Sequence, residues 1–161
     1  MIDKIIQRRK KSVTQEQNQN IEEMYVTIWI GEELFGLDVG NVKEVLGMIE
    51  INQVPNAMDF MKGVINLRGT IVPIIDMRER FKIELHNKKL SVIIIIEVKS
   101  KLIGLIVDSV SDVVNFKTSD IQDTPHFSSN ADVDCIKGLG ELDEHIVIML
   151  DVDRVFTQEE L

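Results

Sequence analysis

The sequence predicts an all-β chain with a few short helices, built as two copies of one small-barrel unit. Three observations carry that prediction. First, short apolar runs recur between turn-forming residues along the chain, with no long amphipathic helix, which favours small barrels over a βαβ sheet. Second, Leu90 to Val98 is nearly all β-branched and apolar, the mark of a strand buried on both faces at the centre of the molecule. Third, the chain repeats itself. Met61–Met77 laid over Ile136–Val152, at a shift of 75, matches Lys62/Lys137, Gly63/Gly138, Leu67/Leu142, Ile71/Ile146, Val72/Val147 and Asp76/Asp151. Leu34–Val45 over Leu102–Val113, at a shift of 68, matches Gly36/Gly104, Val39/Val107, Val42/Val110 and Val45/Val113, with Glu44 facing Asp112. Pro55 and Pro125 fall between the paired blocks at a shift of 70, so the differences reduce to short loop insertions, which cost little free energy. The two halves run from about 24 to 84 and from about 89 to 156.

Residues 1–23 are polar and rich in Gln, Asn, Lys and Glu, and are expected as a disordered polar and basic tail ahead of a domain spanning 24–161. Met24–Ile30 reads as a strand, turned at Gly31 into a second strand at Leu34–Leu37. Val39–Leu46 fits either a short helix, with Val39, Val42, Val45 and Leu46 on one face, or a strand. Ile49–Val54 reads as a strand and Asn56–Met61 as a single helical turn. The clearest element is Gly63–Asp76, where two apolar runs flank Arg68 and Gly69 and predict a tight β-hairpin. Arg68 sits at the turn, its guanidinium a planar fork for a carboxylate or carbonyl. Pro73 cannot donate to a ladder, so its strand is expected at an edge or bulged. Met77–Phe81 leaves the hairpin as a short turn. In the second half the Leu90–Val98 strand turns at Lys99–Lys101 into Leu102–Val107, and Ser109–Val114 follows. Thr118–Asp134 is expected as an exposed loop turning at Pro125. Gly138–Leu142 and Ile146–Asp151 form the second hairpin, and Val152–Phe156 a short terminal helix.

Composition excludes several classes of function. A chain of 161 residues is one domain or two small halves sharing a core. Its net charge of −9 argues against nucleic acid, which needs a basic face. Five of the 18 basic residues, Lys4, Arg8, Arg9, Lys10 and Lys11, lie in the tail, whereas only four of the 27 acidic residues do. Eight aromatic residues are too few for base stacking. No apolar run approaches a membrane span, no secretory segment opens the chain, and the single Cys135 fits a reducing cytoplasm. His86, His126 and His145 show no metal-ligand spacing, Gly138 and Gly140 lack the third glycine of a dinucleotide loop, and no P-loop or nucleophile elbow occurs. No cofactor or metal is expected, and catalysis is disfavoured. What remains is an asymmetry: where the first half has Asn66 and Arg68 at its hairpin, the second has Glu141 and Asp143.

The run KGVINLRGTIVPIIDMR, together with GLDVGNVKEV, GLIVDSVSDV and IKGLGEL, resembles the signature of the CheW-like family of bacterial chemotaxis coupling proteins, from about Met24 to Phe156. The resemblance implies two intertwined five-stranded SH3-like β-barrels around a shared apolar core. It also implies a non-catalytic adaptor that couples the regulatory domain of the histidine kinase CheA to the cytoplasmic tips of methyl-accepting chemoreceptors. Such an adaptor is cytoplasmic, is recruited to membrane-bound receptor arrays, and itself neither enters the membrane nor binds nucleic acid. A scaffold of the same kind in a non-flagellar chemosensory pathway is the alternative. With neither kinase segments nor a receiver domain in the sequence, a free-standing coupler is the expectation. Arg68 matches the family's NLRG arginine and Glu44 its glutamate, both associated with coupling. Val42 and Gly63, with Val110 and Gly138 in the second half, match positions linked to partner binding, and Val39 and Asn66 belong to the same candidate surface. For the valines and glycines a structural role competes, since they can disturb an interface by disturbing the barrel beside it. Arg68 is expected to clamp Glu44 and fix the Val39–Leu46 segment, a contact that Asp143 and Asp112 cannot reproduce.

Overall fold

The computed structural model describes residues 2–3, 5–6, 21–84, 91–123 and 135–156. Ten strands follow one another as β1 (Glu22–Ile30), β2 (Glu33–Asp38), β3 (Val42–Gly47), β4 (Met61–Leu67), β5 (Thr70–Asp76), β6 (Val92–Val98), β7 (Lys101–Val107), β8 (Ser109–Lys117), β9 (Ile136–Leu142) and β10 (His145–Leu150). Two single-turn helices, α1 (Met77–Arg80) and α2 (Val152–Val155), close the halves. Each is capped by an aspartate that the repeat aligns: Asp76 accepts the Arg78 N–H at 3.0 Å and Asp151 accepts the Asp153 N–H at 3.1 Å.

The strands form two five-stranded sheets, ordered β8-β1-β2-β10-β9 and β3-β6-β7-β5-β4. Each sheet therefore takes the first two strands of one sequence half and the last three of the other. The exchange is seamed by the parallel pairings β2–β10 and β5–β7 and the antiparallel pairings β1–β8 and β3–β6, and all pairings other than the two parallel ones are antiparallel. The registers repeat with the sequence shifts. Thr27 faces Gly36 as Ile95 faces Gly104, and Val42 faces Ile96 as Val110 faces Ile28, each displaced by 68. Gly63 faces Ile74 as Gly138 faces Met149, displaced by 75. Even the isolated bridges correspond, Asn52 to Val64 and Gln122 to Leu139, with the loop partner displaced by 70. The duplication read from the chain is thus reproduced pair by pair in the backbone.

Alternation along the strands distributes the apolar residues over three clusters. Ile94, Ile96 and Val98 of β6 join Val26, Ile28 and Leu37 of the other sheet in the main core between the sheets. Ile93 and Ile95 point the opposite way, into a cluster with Ile65, Val72, Ile74 and Ile106, all from one sheet. Tyr25, Leu34, Phe116, Val147 and Met149 fill the matching cluster of the other sheet. Burial of β6 on both faces explains its run of four buried isoleucines, interrupted only at Glu97. The expected strand Leu90–Val98 is β6, Val92–Val98; Leu90 lies outside the described residues.

Several local expectations differ from the structure. Val39–Leu46 resolves as a strand, Val42–Gly47, because it pairs with β6, while Val39 precedes it. Ile49–Val54 is not a strand: it touches β4 at one bridge only, and Ile49 and Val54 stay exposed, so no second ladder rewards extension. Residues 55–60 make two turns rather than a helical one, Asn56 standing at φ 60°. Pro73 is not on a terminal strand, since β5 lies between β7 and β4, but the β7 pairing begins only at Ile74, so the missing N–H is not required there. Within the expected disordered tail, Ile2, Asp3, Ile5 and Ile6 are helical, and Ile6 is 1% exposed in the main core. Pro125, His86 and His126 lie outside the described residues.

A buried ion network ties the sheets together on one side. The Arg78 guanidinium donates from Nε to Asp76 Oδ1 at 3.1 Å, from Nη2 to Asp76 Oδ2 at 3.2 Å, and from Nη1 to Asp108 Oδ1 at 2.9 Å and Ser91 Oγ at 3.1 Å. Asp108 Oδ2 accepts the Gly31 N–H at 2.7 Å, reaching the β1–β2 turn of the other sheet. Burial opposes the charge on Arg78, but its bonds to Asp76 and Asp108 hold the guanidinium above its ordinary value. In the second half Asp153 stands where Arg78 does, so the network has no twin.

Candidate functional site

Leu67 pairs with Thr70, leaving Arg68 and Gly69 as a two-residue turn with φ of 49° and 87°. Positive φ at both positions is the hairpin turn whose twist suits the flanking strands, and Gly69 takes it without side-chain strain. Asn66 Oδ1 accepts the Gly69 N–H at 2.8 Å and steadies the turn from within. The Arg68 side chain, held out from the turn and 72% exposed, reaches Glu44 on β3, whose side chain is 21% exposed. Nη2 donates to Glu44 Oε1 and Nη1 to Oε2 at 3.5 Å, a two-pronged contact. The hydrogen bond to Glu44, then its charge, raises the Arg68 guanidinium above its ordinary value. Because β3 and β4 are the two terminal strands of their sheet, this pair joins its two ends across the mouth of the barrel.

In the second half the same places hold carboxylates. Asp143 occupies the turn at φ 55°, and Asp112 instead turns its Oδ1 back onto the Val113 N–H at 2.7 Å. The sequence expectation of a clamp in one barrel alone agrees with this geometry.

The remaining candidate residues fall into two groups, neither presented on the surface as Arg68 is. Val39 and Val42 are buried in the main core and support β3 from beneath, and Val110 is half-buried against the same core. Gly63 and Gly138 lie where the preceding loop crosses the strand. A Cβ on Gly63 would stand 2.1 Å from the Asn52 carbonyl oxygen, at φ 143°, and one on Gly138 would stand 2.6 Å from Ile121 Cγ2. Val39, Val42 and Gly63 support the sheet that carries the clamp, whose surface is made by Arg68, Glu44 and Asn66, whereas Val110 and Gly138 belong to the other sheet.

Two exposed features escaped the sequence reading. Ile71 and Ile146, aligned by the repeat, are 70% and 58% exposed, one on each hairpin. Beside Ile71, Thr70, Pro73 and Ser100–Ile103 line a cavity of about 500 Å³ where β5 and β7 splay apart. The available signal was the recurrence of isoleucine at a strand position whose neighbours Val72 and Val147 face inward.

Comparison with known proteins adds the following. A family model described as CheW-like domain matches residues 24–160. The chemotaxis protein CheW of Klebsiella aerogenes is 32% identical over 144 residues, 89% of this chain and 87% of that one. The chemotaxis protein CheW of Rhizobium meliloti is 33% identical over 132 residues, 81% and 85% of the two chains. The crystal structure of the scaffolding protein TtCheW from Thermoanaerobacter tengcongensis superposes with a TM-score of 0.79 at 31% identity, covering 91% of this chain and 95% of that one.

Proposed function

The chain belongs to the CheW-like domain family, and from that membership we propose that it is a coupling adaptor of bacterial chemotaxis. It joins the regulatory domain of the kinase CheA to the helical cytoplasmic tips of methyl-accepting chemoreceptors. The observation that carries this reading is a family match over residues 24–160, which contains both arms of the Glu44–Arg68 clamp. Two barrels of one register with unlike turns suit a protein that must hold two different partners at once. In this reading the clamp fixes the outer face of β3 for recognition, Asn66 keeps the Arg68 turn in shape, and Val39, Val42, Val110, Gly63 and Gly138 act through the backbone they support. Residues 24–161 are the coupling domain. No described helix is long and apolar enough to cross a membrane. In the adaptor reading the chain reaches the array from the cytoplasm, through its partners. Single contacts are weak, near micromolar, and the array gains strength from many linked ones.

Size-exclusion chromatography of the chain with a CheA regulatory domain and a receptor-tip fragment tests this. All three co-elute if the adaptor has two separate surfaces. Displacement of the kinase domain by the receptor fragment would refute it.

A further inference from the structure

The outer edges of β3 and β8 match in register but satisfy their backbone groups differently. Among the described residues each strand ends its sheet, so one side meets no neighbouring strand there. Val45 and Val113 are equivalent, facing Ile94 and Val26. The Val113 N–H donates to the carboxylate of its own neighbour, Asp112, at 2.7 Å. Glu44, the residue before Val45, is instead drawn away by Arg68, and the Val45 N–H donates to Asp3 Oδ1 at 3.0 Å, 42 positions earlier in the chain. Ile6 lies one helical turn beyond Asp3, 1% exposed in a core cluster that holds residues of both sheets, and Ile2 packs against the same cluster. Ile2 and Ile6 share a face by helical spacing, while Ile5 remains exposed. The N-terminal segment therefore binds as a separate amphipathic helix would, with one carboxylate on an edge amide and isoleucines in the cleft.

We infer that the outer edge of β3 is a docking groove for an amphipathic helix bearing an acidic residue, that Ile2, Asp3 and Ile6 occupy it in the resting chain, and that the receptor helix must displace them. The inference rests on the adaptor reading for the identity of the partner, and on the contacts of Asp3 and Ile6 for the groove itself. The clamp then has a second role, since by holding Glu44 off the edge Arg68 leaves the Val45 amide open to an incoming carboxylate.

The full chain is compared with Asp3→Ala, with the double variant Asp3→Ala/Ile6→Asp, and with Ile5→Asp as a charge control. A segment docked in about nine molecules of ten suppresses apparent affinity about tenfold. The double variant should accordingly bind a receptor-tip fragment about tenfold more tightly than wild type, Asp3→Ala should gain in the same direction, and Ile5→Asp should gain nothing. Kinase-domain affinity should stay constant throughout. Amide hydrogen exchange reads the docking without any partner: Val45 should exchange faster in Asp3→Ala, and Val113 should not. Unchanged exchange at Val45 would overturn the docking. Equal or weaker receptor binding by the double variant would overturn the competition, with Asp3→Ala deciding should the double variant fold poorly. Faster Val45 exchange in a chain that binds neither kinase nor receptor fragment would support the groove and refute the adaptor reading instead.

Discussion

Replacing Arg78 with methionine removes the charge at the centre of the network that joins the sheets. The guanidinium is 8% exposed and donates to both oxygens of Asp76, whose side chain is 5% exposed, and to Asp108, 25% exposed. Methionine fills much of the space and leaves Asp76 with the residue-78 backbone N–H, so the loss is chiefly one uncompensated buried carboxylate. Breaking a buried pair in this way costs about 3 to 5 kcal/mol. Asp108 can rehydrate at its exposed edge, which places the expectation near the lower figure, about 3 kcal/mol. For a domain of this size that lowers Tm by about 6 to 12 °C. Equilibrium unfolding in urea, followed by tryptophan fluorescence of the single Trp29, measures the loss directly. The companion Arg78→Met/Asp76→Asn removes the stranded charge as well and should recover more than half of it. A single variant within about 0.5 kcal/mol of wild type would refute the assignment of this network as a stabilising bridge.

Arg68→Ala, in contrast, should keep the wild-type melting temperature while losing partner binding, and the reversal Glu44→Arg/Arg68→Glu should regain part of what either single change loses; wild-type binding by both single variants would make Arg68 a solvated turn residue. Gly63→Ala should destabilise the fold and shift the 51–54 loop, since its Cβ would stand 2.1 Å from the Asn52 carbonyl oxygen at φ 143°; an unchanged urea midpoint would contradict that crossing. Tyr25 is raised to about 12 by burial, helped by the hydrogen bond it donates to Glu23 at 2.6 Å. Its folded value lies above the unfolded one, so its contribution is complete below pH 10 and is lost as pH rises towards 12, by roughly 2 to 3 kcal/mol. Tyr25→Phe should show a shallower loss of stability over that window, and identical slopes would refute the shift.

The hairpin and the duplication were legible in the chain because each rests on local or repeated chemistry, while the Glu44–Arg68 contact, 24 positions apart, was expected only through the resemblance to the family. A two-residue turn with positive φ selects Gly69, and alternation fixes the inward faces. A constant shift between blocks becomes a constant register. Legibility failed where a residue's role depends on something distant. Ile49–Val54 has strand composition but only one bridge to use. Arg78 looks like any basic residue in a helical turn until Asp108, 30 positions away, closes on it. Ile6 belongs to a polar segment and is buried only because the core between the two sheets is there to receive it.

The sequence by itself determined the all-β class, the two-fold repeat and the strand faces, since periodicity and turn chemistry act over a few residues, whereas the Glu44–Arg68 clamp was implied by the resemblance to the family. Only the tertiary structure decided that the halves exchange their first two strands, β1–β2 joining β8, β9 and β10 while β6–β7 join β3, β4 and β5. The pattern of apolar residues is the same in both halves, so either pairing would bury the same faces locally. The choice is made by the contacts between the sheets, where Ile94, Ile96 and Val98 meet Val26, Ile28 and Leu37 and the Arg78 network spans the join, and those contacts exist only once the whole chain has closed.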